Sequence, residues 1–199
     1  RYSEDNVAYP RSKIYGSENS KSYGAWKAVL DNDFVAGQFL WTGIDYLGEA
    51  GRFPSRGNTA GLMDMASFKK PAYYFRQSIW TTRPMIYIGT TRIHQGSGRF
   101  AAWARSRAER TWNYRPGDTV LVNCYTNCEE AELMENGKSL GRKPMDDSTH
   151  VISWRVPFRS GTLSVRGFNG GKEVARDQMK TAGAPQALEL SPDVQKLTP

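Results

Sequence analysis

The sequence predicts an α/β segment followed by an all-β one. Residues 1–82 read as the last β/α units of a (β/α)8 barrel, residues 83–183 as an immunoglobulin-like β-sandwich, and residues 184–199 as a linker and the first strand of a further, truncated domain. Three observations carry this. Lys13-Ile14-Tyr15-Gly16-Ser17-Glu18-Asn19 and Gly37-Gln38-Phe39-Leu40-Trp41-Thr42-Gly43-Ile44-Asp45-Tyr46 each read as a short buried strand with a polar or charged residue at its C-terminal end. A helix-period segment separates them, which is the β-α-β grammar of a parallel barrel. After Arg83-Pro84 the pattern changes to short strands and turns.

The first strand is expected over Lys13–Ser17, with Ser20 or Ser22 as cap of the helix that follows. Tyr23, Trp26, Val29 and Leu30 fall on one helical face, and Asp31-Asn32-Asp33 stops the helix. Phe34–Trp41 is the second strand. Residues 47–60 form a Gly-, Pro- and Arg-rich loop, long for a simple connection and of a kind that is often functional. Pro71 suits the first turn of a helix to about Thr81, with Tyr74, Ile79 and Trp80 as packing residues. Two strand–helix units cannot close an eight-stranded barrel, so six more are expected upstream of Arg1.

In the second part, strands are expected at Met85–Ile88, Thr119–Tyr125, Ala131–Glu135, Ser139–Arg142, Val151–Val156, Gly161–Phe168 and Glu173–Thr181. Asn136-Gly137 and Asn169-Gly170-Gly171 are hairpin signals. Short strands of this number with regular turns suggest the immunoglobulin-like sandwich. Gly183-Ala184-Pro185 reads as the linker, and Ala187–Ser191 as the start of a further strand.

Composition narrows the function classes. Six Trp, ten Tyr and eight Phe argue against disorder. Aromatic rings also stack on the C–H faces of sugars, although most of these rings fill cores. The net charge is +7, from 27 Lys plus Arg against 20 Asp plus Glu. The excess is densest where Arg99, Arg105, Arg107, Arg110 and Arg115 interleave with Phe100, Trp103, Trp112 and Tyr114. A nucleic-acid surface can look like this, but no nucleic-acid motif accompanies it, and a solvated arginine-rich junction is the expectation. No apolar run is long enough for a membrane span. There is no signal peptide, and the chain starts at Arg1, so it reads as an excised piece of something longer. Cys124 and Cys128 are too few for a disulfide scaffold or a zinc site. Cys124 shares a strand face with Val120 and Val122 and is expected as a buried thiol, with a local Cys124–Cys128 bridge as the alternative.

Glu18, at a strand end, is a candidate nucleophile, acid or base; the competing reading from the residues alone is a loop glutamate in an ion pair. A longer set of residues bears on the choice. Tyr15-Gly16-Ser17-Glu18-Asn19, the run from Gly37 to Glu49, Gly61-Leu62-Met63-Asp64 and Lys70-Pro71-Ala72-Tyr73-Tyr74 are followed by Tyr125-Thr126-Asn127-Cys128, Glu132-Leu133, Asn136–Gly141, Trp154-Arg155-Val156-Pro157, Gly161-Thr162-Leu163 and Thr181-Ala182-Gly183. In this order they resemble the C-terminal part of a family-2 glycoside hydrolase of the bacterial β-galactosidase type, from the end of the barrel into the following immunoglobulin-like domain.

The resemblance implies a retaining exo-glycosidase acting on terminal β-galactosides, with two carboxylates roughly 5 Å apart across the scissile bond. It implies Glu18 as the nucleophile and Trp41 as the platform beneath the terminal sugar. Asn19 and Asp45 are implied as sugar-hydroxyl contacts or braces of the site, and Glu49 as structural. The acid/base residue of the family usually lies in an Asn-Glu pair on strand four; no Asn-Glu dipeptide occurs here, so that residue is expected upstream and the chain alone is expected to be inactive. Related β-glucuronidases carry an Asn-x-Lys motif after strand eight. The aligned residues here are Asn58-Thr59-Ala60, without lysine, which favours a neutral sugar, although Arg52 or Arg56 would serve an anionic one. No cofactor and no metal-ligand set is expected, although some relatives use magnesium or sodium. The implied partners are a β-galactoside-containing glycan, the upstream barrel and a second copy of the chain, in a bacterial periplasm or outside the cell. No nucleic-acid or membrane partner is expected.

Two other classes compete. A non-catalytic carbohydrate-binding or structural module predicts an exposed, coplanar row of Trp103, Trp112 and Tyr114. A nucleic-acid binder predicts steeply salt-dependent duplex binding.

Overall fold

A computed structural model describes residues 2–93 and 108–191. The first region holds three short helices and two pairs of strands. Helix α1 (Tyr2–Ala8), which no pattern in the sequence announced, carries Glu4 and Asp5 in its first turn, where a carboxylate favours the helix dipole. Strand β1 (Ile14–Asn19), helix α2 (Tyr23–Leu30) and strand β2 (Val35–Leu40) form the expected β-α-β unit. β1 and β2 are parallel, with Ile14 opposite Val35, Gly16 opposite Gln38 and Asn19 opposite Leu40. Ser22 is the cap of α2: its Oγ accepts from the Ala25 N–H at 3.2 Å. No residue of α2 is fully buried, and Leu30 is exposed, because a two-stranded sheet is too narrow to cover a helix face.

The long loop after β2 contains a small ladder, β3 (Tyr46–Leu47) against β4 (Gly57–Asn58). Helix α3 (Pro71–Trp80) has the expected bounds, with proline in its first turn. Its buried residues are Phe75, Arg76 and Ser78. Trp80, expected as a packing residue, is instead mostly exposed, edge-on to Trp26 and under the Arg76 guanidinium.

The second region contains all seven predicted strands: β5 (Ile86–Ile93), β6 (Thr119–Thr126), β7 (Glu130–Glu135), β8 (Lys138–Pro144), β9 (Ile152–Pro157), β10 (Thr162–Asn169) and β11 (Lys172–Lys180). They make two antiparallel sheets, β5-β6-β9 and β11-β10-β7-β8. Asn136 and Gly137 make the β7–β8 turn with φ of 50° and 81°, the left-handed pair that a two-residue hairpin requires. Alternate residues of both sheets meet in one core: Ile88, Val120, Val122, Cys124, Ile152, Trp154 and Val156 from one, and Ala131, Leu133, Leu163, Val165 and Met179 from the other. Both cysteines are buried free thiols; burial pushes Cys124 far up, and Cys128 up as well.

Arg110, expected in a solvated patch, bridges the two sheets: it pairs with Asp177 and donates to the carbonyls of Ile88 at 3.0 Å and Gln178 at 2.9 Å. Trp112 is 1% exposed and donates its Nε1–H to the Arg159 carbonyl at 3.0 Å. An exposed row through Trp112 is therefore excluded; Arg99, Phe100, Trp103, Arg105 and Arg107 lie outside the described residues. The strand expected at Ala187–Ser191 is not formed: these residues have no regular structure, and Leu188 and Leu190 face solvent with no neighbouring strand to pair with. No helix among the described residues is long and apolar enough to cross a membrane.

The two regions touch along a seam. Tyr74 stacks on Tyr87 with centroids 3.7 Å apart, Phe75 meets Tyr125 edge-on, and Tyr23 stacks on His150 at 5.0 Å. Asn127 closes the hinge by donating to the carbonyls of Thr81 and Arg83 and accepting from the Met85 N–H.

Candidate functional site

The C-terminal ends of β1 and β2 lie side by side, and the candidate residues gather there. Between Gly16 and Asn19 the register slips, so that three steps along β1 match two along β2. The in–out alternation breaks at the same place: Ser17 and Glu18 are both exposed. A bulge of this kind re-aims a side chain at a strand end, and here the re-aimed residue is Glu18. Its carboxylate has no ion-pair partner among the described residues, so the loop ion-pair alternative finds no support in this geometry.

Asn19 points the other way. Its Nδ2 donates to the Tyr2 hydroxyl at 2.8 Å, while its Oδ1 is buried without a partner among the described residues. A Cβ on Gly16 would collide with both the Asn19 amide and the Tyr2 hydroxyl, which explains a glycine in mid-strand.

Trp41 follows directly on β2, and its N–H donates to the Asn19 carbonyl at 3.3 Å, extending the parallel ladder by one residue. Its ring is 43% exposed and stands edge-on to Tyr46, with centroids 5.9 Å apart and planes at 85°. An exposed indole face beside a strand-end carboxylate can hold the apolar face of a sugar. Tyr46 was not singled out in the sequence. Its hydroxyl donates to Glu49, and that bond, with desolvation and the charges of Glu49 and Glu18, holds the phenol above its usual range. Glu49 thus acts through Tyr46 and the fold of its loop, at a positive φ of 41°.

Asp45 is a brace. Its side chain is 10% exposed, and Oδ1 accepts from the Gly61 N–H at 2.7 Å and pairs with Lys70 Nζ at 2.7 Å. Gly61 must be glycine, because a Cβ there would overlap the backbone of Ile44, Asp45 and Met63. Lys70 also donates to the Thr59 carbonyl at 2.9 Å, and Lys21 to the Ala60 carbonyl. Burial and the neighbouring Lys70 charge lower the Lys21 ammonium from its ordinary value. The Asn58-Thr59-Ala60 segment, which lacks a lysine in sequence, therefore has two lysines beside it in space. No local spacing in the sequence signals this, since Lys21 and Lys70 are brought there by α2 and α3. Arg52 and Arg56 are exposed. Among the described residues no group of three His, Cys, Asp or Glu could hold a metal ion.

The fold has known counterparts. The domain of unknown function DUF4982 matches residues 117–175. The β-galactosidase BoGH2A of Bacteroides ovatus is 39% identical over 176 residues, covering 86% of this chain and 18% of its own length. A β-glucuronidase of Bacteroides fragilis is 29% identical over 189 residues, covering 89% of this chain and 24% of its own. Among solved structures, a glycosyl hydrolase family 2 member from Bacteroides cellulosilyticus superposes with a TM-score of 0.82 at 30% identity, over 97% of this chain and 28% of that one. The chain spans about a fifth of the length of these curated relatives. It is homologous to part of the family-2 glycoside hydrolases, a segment shared by β-galactosidases and β-glucuronidases.

Proposed function

We propose that this chain is the nucleophile-bearing part of a retaining exo-glycosidase that removes terminal β-galactosides. In this reading residues 1–82 are the last β/α units of a (β/α)8 barrel, and residues 83–183 are an immunoglobulin-like sandwich that braces it. The observation that carries the reading is the parallel β1–β2 pair, which sets the bulged Glu18 and the exposed Trp41 ring at one strand end. That is where barrel enzymes keep their chemistry. Glu18 attacks the anomeric carbon, and the glycosidic C–O bond breaks as a general acid from elsewhere in the whole protein protonates the leaving oxygen. Water, deprotonated by that same group, then releases the sugar from Glu18. Trp41 carries the sugar's C–H face, Asn19 backs the strand end, and Asp45 holds the loop that frames the site.

The test is aryl β-galactoside hydrolysis by the full-length enzyme, wild type against Glu18→Gln. A rate loss of about three orders of magnitude or more, with folding intact, is expected. Near-normal activity in the variant would put the nucleophile elsewhere. The isolated 199-residue chain is expected to be inactive because it lacks the acid.

A second reading, β-glucuronidase, is favoured by one specific observation: Lys21 and Lys70 donate to the carbonyls of Ala60 and Thr59, beside the segment aligned with the Asn-x-Lys motif. A kcat/KM for an aryl β-glucuronide above that for the galactoside, lost in Lys21→Met, would select it.

A further inference from the structure

A cavity of about 570 Å³ lies along the seam between the two regions, within the size range of small-molecule sites. One wall is the Ser20–Gly24 turn that follows the Glu18 strand end, with Trp41 beside it. Helix α3 contributes Ala72 and Phe75, and the opposite wall is the β8–β9 loop with Ser148 and Thr149. Glu18 does not line it, so the cavity leads away from the reacting carboxylate while sharing the Trp41 ring.

Its chemistry is that of a sugar site. Tyr23, Trp41 and Phe75 line it, hydroxyl side chains stand on both walls, and Lys21 lies among them. Ser20 and Ser22 are joined Oγ to Oγ at 2.9 Å and also hold the turn, Ser22 Oγ accepting from the Ala25 N–H and Ser20 Oγ from the Ser22 N–H, whereas Ser148 donates to Asp146 at 2.6 Å and its oxygen accepts no hydrogen bond among the described residues. Gly24, in the first turn of α2, also lines the cavity, and a Cβ there would meet nothing within 4 Å.

We propose that this seam cavity binds the second sugar ring of a β-linked oligosaccharide, the ring on the leaving-group side of the scissile bond, and that the β8–β9 loop selects it. The inference rests on the glycosidase reading for the direction of the substrate. It makes the second region part of the recognition surface as well as a brace.

The experiment is an NMR titration of the 199-residue chain with methyl β-galactoside and with two β-linked disaccharides, one headed by galactose and one by glucuronic acid. At least one disaccharide is expected to bind tenfold or more tightly than the monosaccharide, with shifts at Gly24 and Thr149. Gly24→Leu, which fills the cavity from the helix, and Thr149→Trp, which fills it from the loop, are each expected to remove that gain with the thermal melt preserved. Disaccharides that bind no more tightly than the monosaccharide, or do not bind, overturn the proposal, as does a gain that survives both variants. The titration needs no turnover. Failure of the Glu18→Gln rate test with a positive titration would sink the glycosidase reading alone, and the reverse pattern would sink the cavity alone.

Discussion

The two regions of this chain solve the burial problem to very different degrees. Of the 22 buried apolar residues among those described, only Val35, Leu62 and Phe75 precede residue 82. The exposed large apolar residues show the reverse: Val7, Tyr9, Tyr15, Leu30, Phe39, Trp41, Ile44, Leu47, Phe53, Met65, Phe68 and Trp80 lie in the first region, against Val174, Leu188 and Leu190 in the second. Seven strands folded as two facing sheets enclose a core by themselves, whereas a parallel pair with one crossover helix leaves its faces and edges open. Unpartnered buried polar atoms occur in both regions among the described residues. Arg76 is 1% exposed; it donates to the Ser20 carbonyl, but its Nε and Nη1 have no partner among the described residues, and burial lowers its guanidinium to about 10. The second region is thus a self-sufficient scaffold. The first leaves the strand end with Glu18 and Trp41 on an open surface with many exposed apolar residues.

The sharpest way to break this comparison is a pair of core truncations. Leu163→Ala removes a fully buried side chain between the sheets and is expected to cost about 3 kcal/mol. Phe39→Ala in β2, whose ring is exposed, is expected to cost under about 0.5 kcal/mol in this chain. Urea unfolding of both variants checks it, and comparable losses would mean that the first region has a core of its own.

A smaller effect tests what order the first region does possess. Asp45→Asn removes the charge that Lys70 and the Gly61 N–H share, and is expected to cost about 1–2 kcal/mol. Amide exchange should speed up at Gly61 and leave β6 and β10 unchanged. Uniform acceleration across both regions would contradict the division.

The seam gives a pH effect. His150 is half-buried against Tyr23, with Nε2 lacking a hydrogen-bond partner among the described residues, and desolvation lowers its pKa from 6.5 even though Asp147 favours the cation. A lowered value means that the folded state holds the proton less tightly than the unfolded chain. Its contribution to stability is therefore full above pH 6.5 and lost as pH falls through the folded value. His150→Asn, which tolerates the positive φ of 54° at that position, should flatten this acid slope in thermal melts. An unchanged slope would assign it to carboxylates.

The smallest effect is one of silence. Burial holds the Cys124 thiol well above its ordinary value, so this sulfur should resist alkylation near pH 8 until the chain unfolds. Rapid labelling of the native protein would show that the second region's core opens readily.

Much of the fold was legible because its signals are local. Alternating apolar residues, Asn136-Gly137 and Pro71 act over two to ten positions, and they yielded all seven strands of the second region and the bounds of α3 within a residue or two. Ala187–Ser191 carries no strand for the complementary reason: an apolar run makes a strand only where a partner offers free N–H and C=O groups, and no strand lies beside it among the described residues. Within the candidate site, Glu18 was legible as a strand-end carboxylate with an ion-pair alternative, and the roles proposed for Glu18 and Trp41 came from the family resemblance rather than from a local pattern.

Local sequence patterns thus specify the β-α-β unit and its parallel sense, α3 and the seven strands of the second region, but not α1 or the β3–β4 ladder. What the residues of the candidate site touch depends on contacts formed across the folded chain. The tertiary structure turned Glu18 outward through a bulge, committed Asp45 to Lys70 and Gly61, and placed Tyr46 between Trp41 and Glu49. It brought Lys21 and Lys70 to Ala60 and Thr59, moved Trp112 into the core, and joined Trp41 and Thr149 in one cavity. Propensity and periodicity act between neighbours along the chain, whereas ion pairs, orphaned donors and cavities form between residues tens of positions apart, once the backbone has brought them together.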